Sequence, residues 1–213
     1  MSKAIIFTGG AFPKSLPKDL YEKGDYLIAA DSGFDIAKKL GFTVDFAIGD
    51  FDSTKCFKEI QLTNFEKHAE DKDESDTYLA IKKGLSVVNN GYVLVGGGGY
   101  RIDHLMATYS LFSLFGPPRS WYTAYETNIL ISSYHRFSDC KIGDTISLYP
   151  ATLSGKAKVT AKQLTWPLID YDLQFSTISL SNRVNDRLLD IFVKGESIFA
   201  SFPVARTIAK VLP

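Results

Sequence analysis

The chain has 213 residues, of which 45% are hydrophobic and 23% charged, enough apolar content for one large globular domain or two small ones. Its 24 basic and 24 acidic residues cancel, so no overall field draws it to nucleic acid or to an anionic membrane. No apolar run approaches the ~18 residues of a membrane span. Two cysteines, Cys56 and Cys140, beside three histidines are too few for a disulfide framework and argue against structural zinc, so a cytoplasmic location is expected.

The opening "MSKAIIFTGG" reads as a strand and turn rather than a signal peptide. Further strands are predicted at "DYLIAAD", "DFAIGD", "GYVLVGG" and "SWYTAY". Between them "LPKDLYEKG", "GFDIAKKLG", "SDTYLAIKKGLSVVNN" and "RIDHLMATYSLFSLFG" read as helices; in the third, Leu79, Ile81, Leu85 and Val88 recur near the helical period. Short, wholly apolar strands alternating with helices predict an open, mostly parallel α/β sheet over residues 1–126. Beyond that the helical rhythm stops. "NILISS", "DTISLYP", "GKAKVTAKQL", "FSTISLSNRV", "LLDIFVKG" and "SIFASFPV" are β-branched or aromatic runs between turn residues, predicting a small antiparallel β-sandwich or barrel over 127–213.

In open α/β sheets ligands bind beyond the carboxyl ends of the strands, and acidic residues gather there. Asp31, Ser32 and Gly33 follow the second strand, and Asp50 and Asp52 end the third. If "GDFDS" is extended, the two carboxylates share one face at ~5 Å and repel by roughly 3 kcal/mol at an effective dielectric of about 20. A bound cation offsets that cost, and several carboxylates on one edge suit Mg²⁺ with phosphate co-ligands. Asp73, and Ser75 or Asp76 as caps, read by themselves as local turn and helix-start residues in preference to ligands, and Asp31 reads equally as a turn former. Gly96 to Gly99, before Arg101, Asp103 and His104, permit close approach of a phosphate, although a strand-to-helix turn needing no ligand would use similar residues. Trp166 reads as sandwich core in preference to a stacking platform.

Taken together, "GG" at 9–10, "AADSG" at 29–33, "IGDFDS" at 48–53, "KDESD" at 72–76, "GGGGYRIDH" at 96–104, "GDTISLYP" at 143–150, "LTWPL" at 164–168 and "LSN" at 180–182 resemble the thiamin pyrophosphokinase family, in its order and over nearly the whole chain. The resemblance implies an α/β nucleotide domain followed by a β-sandwich. It implies transfer of a diphosphoryl group from ATP to the hydroxyethyl oxygen of thiamin, with release of AMP. Carried onto this sequence, Asp50, Asp52 and Asp76 would hold Mg²⁺. Gly9, Gly10, Asp31, Ser32, Gly33, Lys72, Gly97, Gly98 and Gly99 would shape the nucleotide site. Arg101 would pair with phosphate oxygens, and Asp103 would orient the thiamin hydroxyl or take its proton. His104 would lie on the thiamin side, and Ser181 and Asn182 would contact the pyrimidine ring. The resemblance also implies a homodimer with thiamin held between the α/β domain of one subunit and the sandwich of the other. Tyr100, Ser75, Tyr78 and Thr108 depart from the family's usual Gly, Thr, acidic residue and Asn. Two alternatives stand beside this reading: a 6-hydroxymethylpterin diphosphokinase of similar chemistry, and a thiamin- or nucleotide-binding module without turnover.

Overall fold

A computed structural model describes residues 2–99, 101–138 and 140–204. By contacts the chain divides into two compact units, Met1–Leu111 with Pro118–Ala124, and Phe112–Pro117 with Tyr125–Pro213. The first unit runs β1 (Ala4–Phe7), β2 (Tyr26–Ala30), α1 (Gly33–Lys39), β3 (Phe46–Gly49), α2 (Phe57–Ile60), β4 (Asn64–Lys67), α3 (Asp76–Val87), β5 (Tyr92–Val95), α4 (Ile102–Phe115) and β6 (Ser120–Tyr122), with the end of α4 passing into the second unit.

Its strands lie in the order β6-β5-β1-β2-β3-β4, and each neighbouring pair is parallel. Strands β1 and β5 are buried along their whole length because both faces are covered. Ile5 and Phe7 point into a cluster with Phe34, Ile36 and Ala37 of α1. Ala4 and Ile6 point the other way, toward α3. Gly84 makes that second contact possible, since a Cβ there would lie 2.9 Å from Ala4 Cβ and 3.3 Å from Ile28 Cδ1. Helix α3 begins where Ser75 accepts the Tyr78 N–H at 3.2 Å, so Ser75 is the N-cap and Asp76 the first helical residue.

One local reading changes, and two strands begin where none was predicted. "LPKDLYEKG" forms turns instead of a helix: Leu20 N–H closes on Pro17 O at 3.1 Å, and Gly24 turns the chain at φ 103°. A single Leu16–Leu20 pair, with prolines at 13 and 17, gives too little apolar face to hold a helix on the sheet. Strand β4 is an exposed edge strand whose sequence "NFEK" carries no buried side to betray it. "LTWPL" leads directly into a strand at Leu168, described next.

The second unit is all β beyond the end of α4. It comprises β7 (Glu126–Ile131), β8 (Tyr134–Phe137), β9 (Thr145–Pro150), β10 (Ala157–Ala161), β11 (Leu168–Leu173), β12 (Ser179–Arg183), β13 (Leu189–Gly195) and β14 (Ile198–Pro203). Two antiparallel layers, ordered β12-β9-β14-β7 and β11-β10-β13-β8, enclose one core. Ile146 and Leu148 from the first layer meet Val159, Leu189 and Ile191 from the second, all fully buried. Each such side chain contributes about 1.5–3 kcal/mol by leaving water. This is the expected fold: an open parallel α/β sheet followed by a small antiparallel β-sandwich. No described helix is long and apolar enough to cross a membrane.

Candidate active site

In the parallel sheet the chain order reverses between β1 and β5, where β2 to β4 extend one way from β1 and β5 and β6 the other. Such a switch point opens a crevice at the strand ends because the loops after the two strands diverge. Here both loops are glycine turns and they are joined: Gly97 N–H donates to Gly9 O at 2.9 Å and Ala11 N–H to Gly98 O at 2.8 Å. Gly96 requires its identity, since its φ is 93° and a Cβ would stand 2.2 Å from Thr8 O. A cleft of about 480 Å³ lies over these turns.

Gly9, Gly10, Gly97, Gly98 and Gly99 line one side of it, with Arg101 and His104 at the start of α4. Asp31, Ser32, Asp50, Lys72 and Asp76 line the other. Gly33 lies beneath: it is buried, and its Cα faces the Phe7 carbonyl. Asp52 and Asp103 stay outside the lining, both exposed. Tyr100 lies outside the described residues.

The carboxylates converge through a local device. Gly49 ends β3 at φ 149°, and a Cβ there would come within 3.2 Å of both Asp31 Cβ and Asp76 Cγ. Without a side chain at 49, Asp31, Asp50 and Asp76 bring ligand oxygens within 4.8 Å of one another. That differs from the expected grouping in one member, Asp31 in place of Asp52. The reason is the backbone of "GDFDS", which is not extended. Phe51 takes φ 64° and buries its ring against Phe57 and Phe65, at 5.7 and 6.1 Å between centroids. A left-handed non-glycine residue costs roughly 1–2 kcal/mol, which burial of a phenyl ring offsets. The turn closes when Asp52 N–H donates to Asp50 Oδ1 at 3.1 Å, and Asp52 Oδ1 accepts from Ser53 Oγ at 2.7 Å. The two aspartates therefore do not share a face.

Three features suit a divalent cation. Asp31 Oδ1 and Asp76 Oδ1 are buried and accept no aligned hydrogen bond. All donors are oxygen, as Mg²⁺ prefers, and opposite ligands around Mg²⁺ stand about 4.2 Å apart, given bonds of about 2.1 Å. Burial holds the Asp31 carboxyl above the usual range; the charges of Asp76, Asp50 and Asp52 add to this, against a hydrogen bond from Ser32 N–H. A nearby positive charge removes that penalty.

One cation is already present. The Lys72 ammonium lies 2.9 Å from Asp76 Oδ1, off the hydrogen-bonding direction, and 3.6 Å from Asp50 Oδ2. Burial alone would lower its pKa, yet Asp76 and Asp50 outweigh that and hold it above the usual lysine value. Arg101 is tied instead to Asp103, Nε to Oδ1 at 3.1 Å, and this bond holds the exposed Asp103 carboxyl below its usual range.

Sequence reading missed a pair of hydroxyls. Thr8, at the end of β1, and Thr77, on the first turn of α3, lie 2.5 Å apart under the Gly97 turn and fix Asp76 relative to the sheet. Neither belongs to a recognisable motif; Thr8 only precedes the Gly pair.

The two expected ring-contact residues lie on β12. Ser181 is exposed at φ 53° within a register shift of the β12–β9 pair. Asn182 is 3% exposed, and its amide makes bonds through both its oxygen and its nitrogen. Its Oδ1 accepts from Trp166 N–H at 3.2 Å and Arg183 N–H at 2.8 Å, while Nδ2 donates to Trp166 O at 2.7 Å. Asn182 thus clamps the Trp166 backbone rather than offering its own side chain. Trp166, expected in the core, is 59% exposed, because Leu164 and Leu168 on either side take the core positions.

Residues 17–117 match the family model described as thiamin pyrophosphokinase, catalytic domain. No curated protein matches the sequence. Among solved structures, the chain is similar to thiamine pyrophosphokinase from Bacillus subtilis at 15% identity and a TM-score of 0.75, and to a thiamin pyrophosphokinase family protein from Enterococcus faecalis at 19% and 0.73. Each alignment covers 95% of this chain and 99% of the other. Yeast thiamin pyrophosphokinase aligns at 16% identity and a TM-score of 0.67, covering 97% of this chain and 88% of the yeast one. At such identities these likenesses establish the fold, while the family match falls on the segment holding Asp31, Asp50, Lys72, Asp76 and the Gly96–Gly99 turn. Over that segment, the chain is similar to the catalytic domain of the thiamin pyrophosphokinase family.

Proposed function

We propose that this protein transfers the diphosphoryl group of ATP to the hydroxyethyl oxygen of thiamin, giving thiamin diphosphate and AMP. The observation that carries the reading is the convergence of Asp31, Asp50 and Asp76 within 4.8 Å beside two joined glycine turns, in a family-matched segment. The hydroxyethyl oxygen bonds to the β-phosphorus, the bond from that phosphorus to the α–β bridging oxygen breaks, and AMP leaves with the electron pair. In-line attack of this kind demands positioning and charge neutralisation more than covalent help.

Asp31, Asp50 and Asp76 would hold Mg²⁺, with Asp52 adding negative charge from the exposed side of the same turn; the ion would supply charge neutralisation for the phosphate oxygens. Backbone N–H groups of Gly9, Gly10, Gly98 and Gly99 would face the phosphates, and Ser32 and Gly33 form the floor. Arg101 exchanges Asp103 for phosphate oxygens, since its planar fork fits them bidentately. That exchange frees Asp103 to orient the thiamin hydroxyl or take its proton, with His104 beside it on the first turn of α4. Ser181 and the exposed Trp166 ring, held by Asn182, supply the ring-contact surface; in a homodimer they serve the site of the partner subunit.

Incubation with ATP, Mg²⁺ and either thiamin or 6-hydroxymethylpterin, with AMP measured by chromatography, tests this. AMP is expected with thiamin alone and none in the presence of a chelator. AMP with the pterin alone identifies a pterin diphosphokinase, and thiamin binding without AMP identifies a binding module. Asp50→Asn and Asp76→Asn are expected to lower kcat by about a hundredfold or more, with thiamin affinity little changed. Asp52→Asn shifts turnover in the same direction, and loss of thiamin affinity to the same extent would assign it to folding.

A further inference from the structure

Lys72 is placed where its charge opposes the binding of a metal. Its side chain is only 13% exposed, in the loop just before the Ser75 cap. Ala69 O accepts from the ammonium at 3.2 Å and orients it inward. From there it contacts Asp76 Oδ1 at 2.9 Å and Asp50 Oδ2 at 3.6 Å, two of the three carboxylates that make up the cluster. The third, Asp31, keeps a buried Oδ1 with no partner. One ammonium therefore neutralises part of a cluster whose remaining negative charge still favours a divalent ion. A lysine is suited to this because its charge is compact and its stem flexible, so it leaves more readily than a bidentate arginine.

We propose that Lys72 is an internal counter-ion of the carboxylate cluster: its ammonium holds Asp50 and Asp76 together until a divalent cation displaces it, and it then turns to the anionic ligand that arrives with that cation. The inference rests on the reading of Asp31, Asp50 and Asp76 as ligands of a divalent cation. It assigns Lys72 a positioning role, with a cost: the tethered charge weakens metal binding in the absence of nucleotide, so metal and phosphates are favoured together.

The test is binding of Mn²⁺ to the full chain without ATP or thiamin, followed by the electron paramagnetic resonance signal of the free ion. Lys72→Met, which keeps the stem and removes the charge, is expected to tighten Mn²⁺ binding by about tenfold or more. Lys72→Arg, which keeps the charge and grips carboxylates bidentately, is expected to bind Mn²⁺ no more tightly than the wild type. Unchanged or weaker binding in a folded Lys72→Met protein overturns the proposal. A second measurement needs no variant: in wild-type protein labelled with ¹⁵N-lysine, the Lys72 ammonium signal is expected to be slow to exchange in chelator and to lose that protection as Mg²⁺ saturates the site. A signal unmoved at saturation also overturns it. Neither readout involves transfer to thiamin. Tighter Mn²⁺ binding in a protein that forms no AMP would keep the counter-ion and remove the diphosphotransferase reading; AMP formation with Mn²⁺ affinity indifferent to Lys72 would do the reverse.

Discussion

At Gly33 a methyl group would stand 2.1 Å from the Phe7 carbonyl oxygen, so the first turn of α1 lies directly on β1. The family resemblance places Gly33 among the nucleotide contacts, and the structure gives it a packing role that comes first. By holding the helix start against the strand, it lets Asp31 and Ser32 reach the cleft. Gly33→Ala should cost about 2–4 kcal/mol, through overpacking that the backbone cannot relieve. Gly24→Ala should cost about 1 kcal/mol, from its positive φ alone, because nothing lies within 4 Å of the added carbon. Urea unfolding of the two variants checks the difference; equal losses would mean that the α1–β1 contact relaxes. Phe51 teaches the complementary lesson. Read as a spacer between two aspartates, it is the residue that decides their geometry, because its burial turns the backbone over.

Among elements, β12 and the Trp166 segment depend on one side chain. Asn182→Ala removes three hydrogen bonds and leaves the Trp166 N–H and C=O without their partner. At about 1 kcal/mol for each net bond, a loss of roughly 2–3 kcal/mol is expected. If Trp166 meets thiamin, the KM for thiamin should rise while kcat changes little. A drop in kcat at constant KM would detach this segment from substrate binding. "SN" carries little information as two letters, and the clamp becomes visible only once β12 and the Trp166 segment lie side by side. The longer elements were legible because wholly apolar runs such as "YVLV" have one way to hide in a small protein, between covering layers. The turns at 16–24 and the edge strand β4 were not legible, since neither has a buried face to impose a period.

For the whole molecule, the proposed homodimer makes a prediction that neither unit makes alone. Mixing Asp76→Asn protein with Trp166→Ala protein, each with low activity when thiamin is kept below the KM of the latter, should restore activity if the site of one subunit uses the sandwich of its partner. Random reassortment gives half heterodimers with one intact site each, so roughly a quarter of all sites should recover. No recovery after subunit exchange is verified by mass would place both contributions within one subunit. Composition and hydrophobic rhythm were enough to set the two layers of fold and their order, because burial periodicity is a local property of the chain. The same is true of which strand ends carry carboxylates. Which of those carboxylates meet was decided only by tertiary structure. Asp31 joins Asp50 and Asp76 across 45 positions of sequence because β2, β3 and α3 are brought together and Gly49 leaves the room between them. Lys72 enters that space for the same reason: charge is fixed by residue type, but a charge acts through distance, and distance is set by the packed chain.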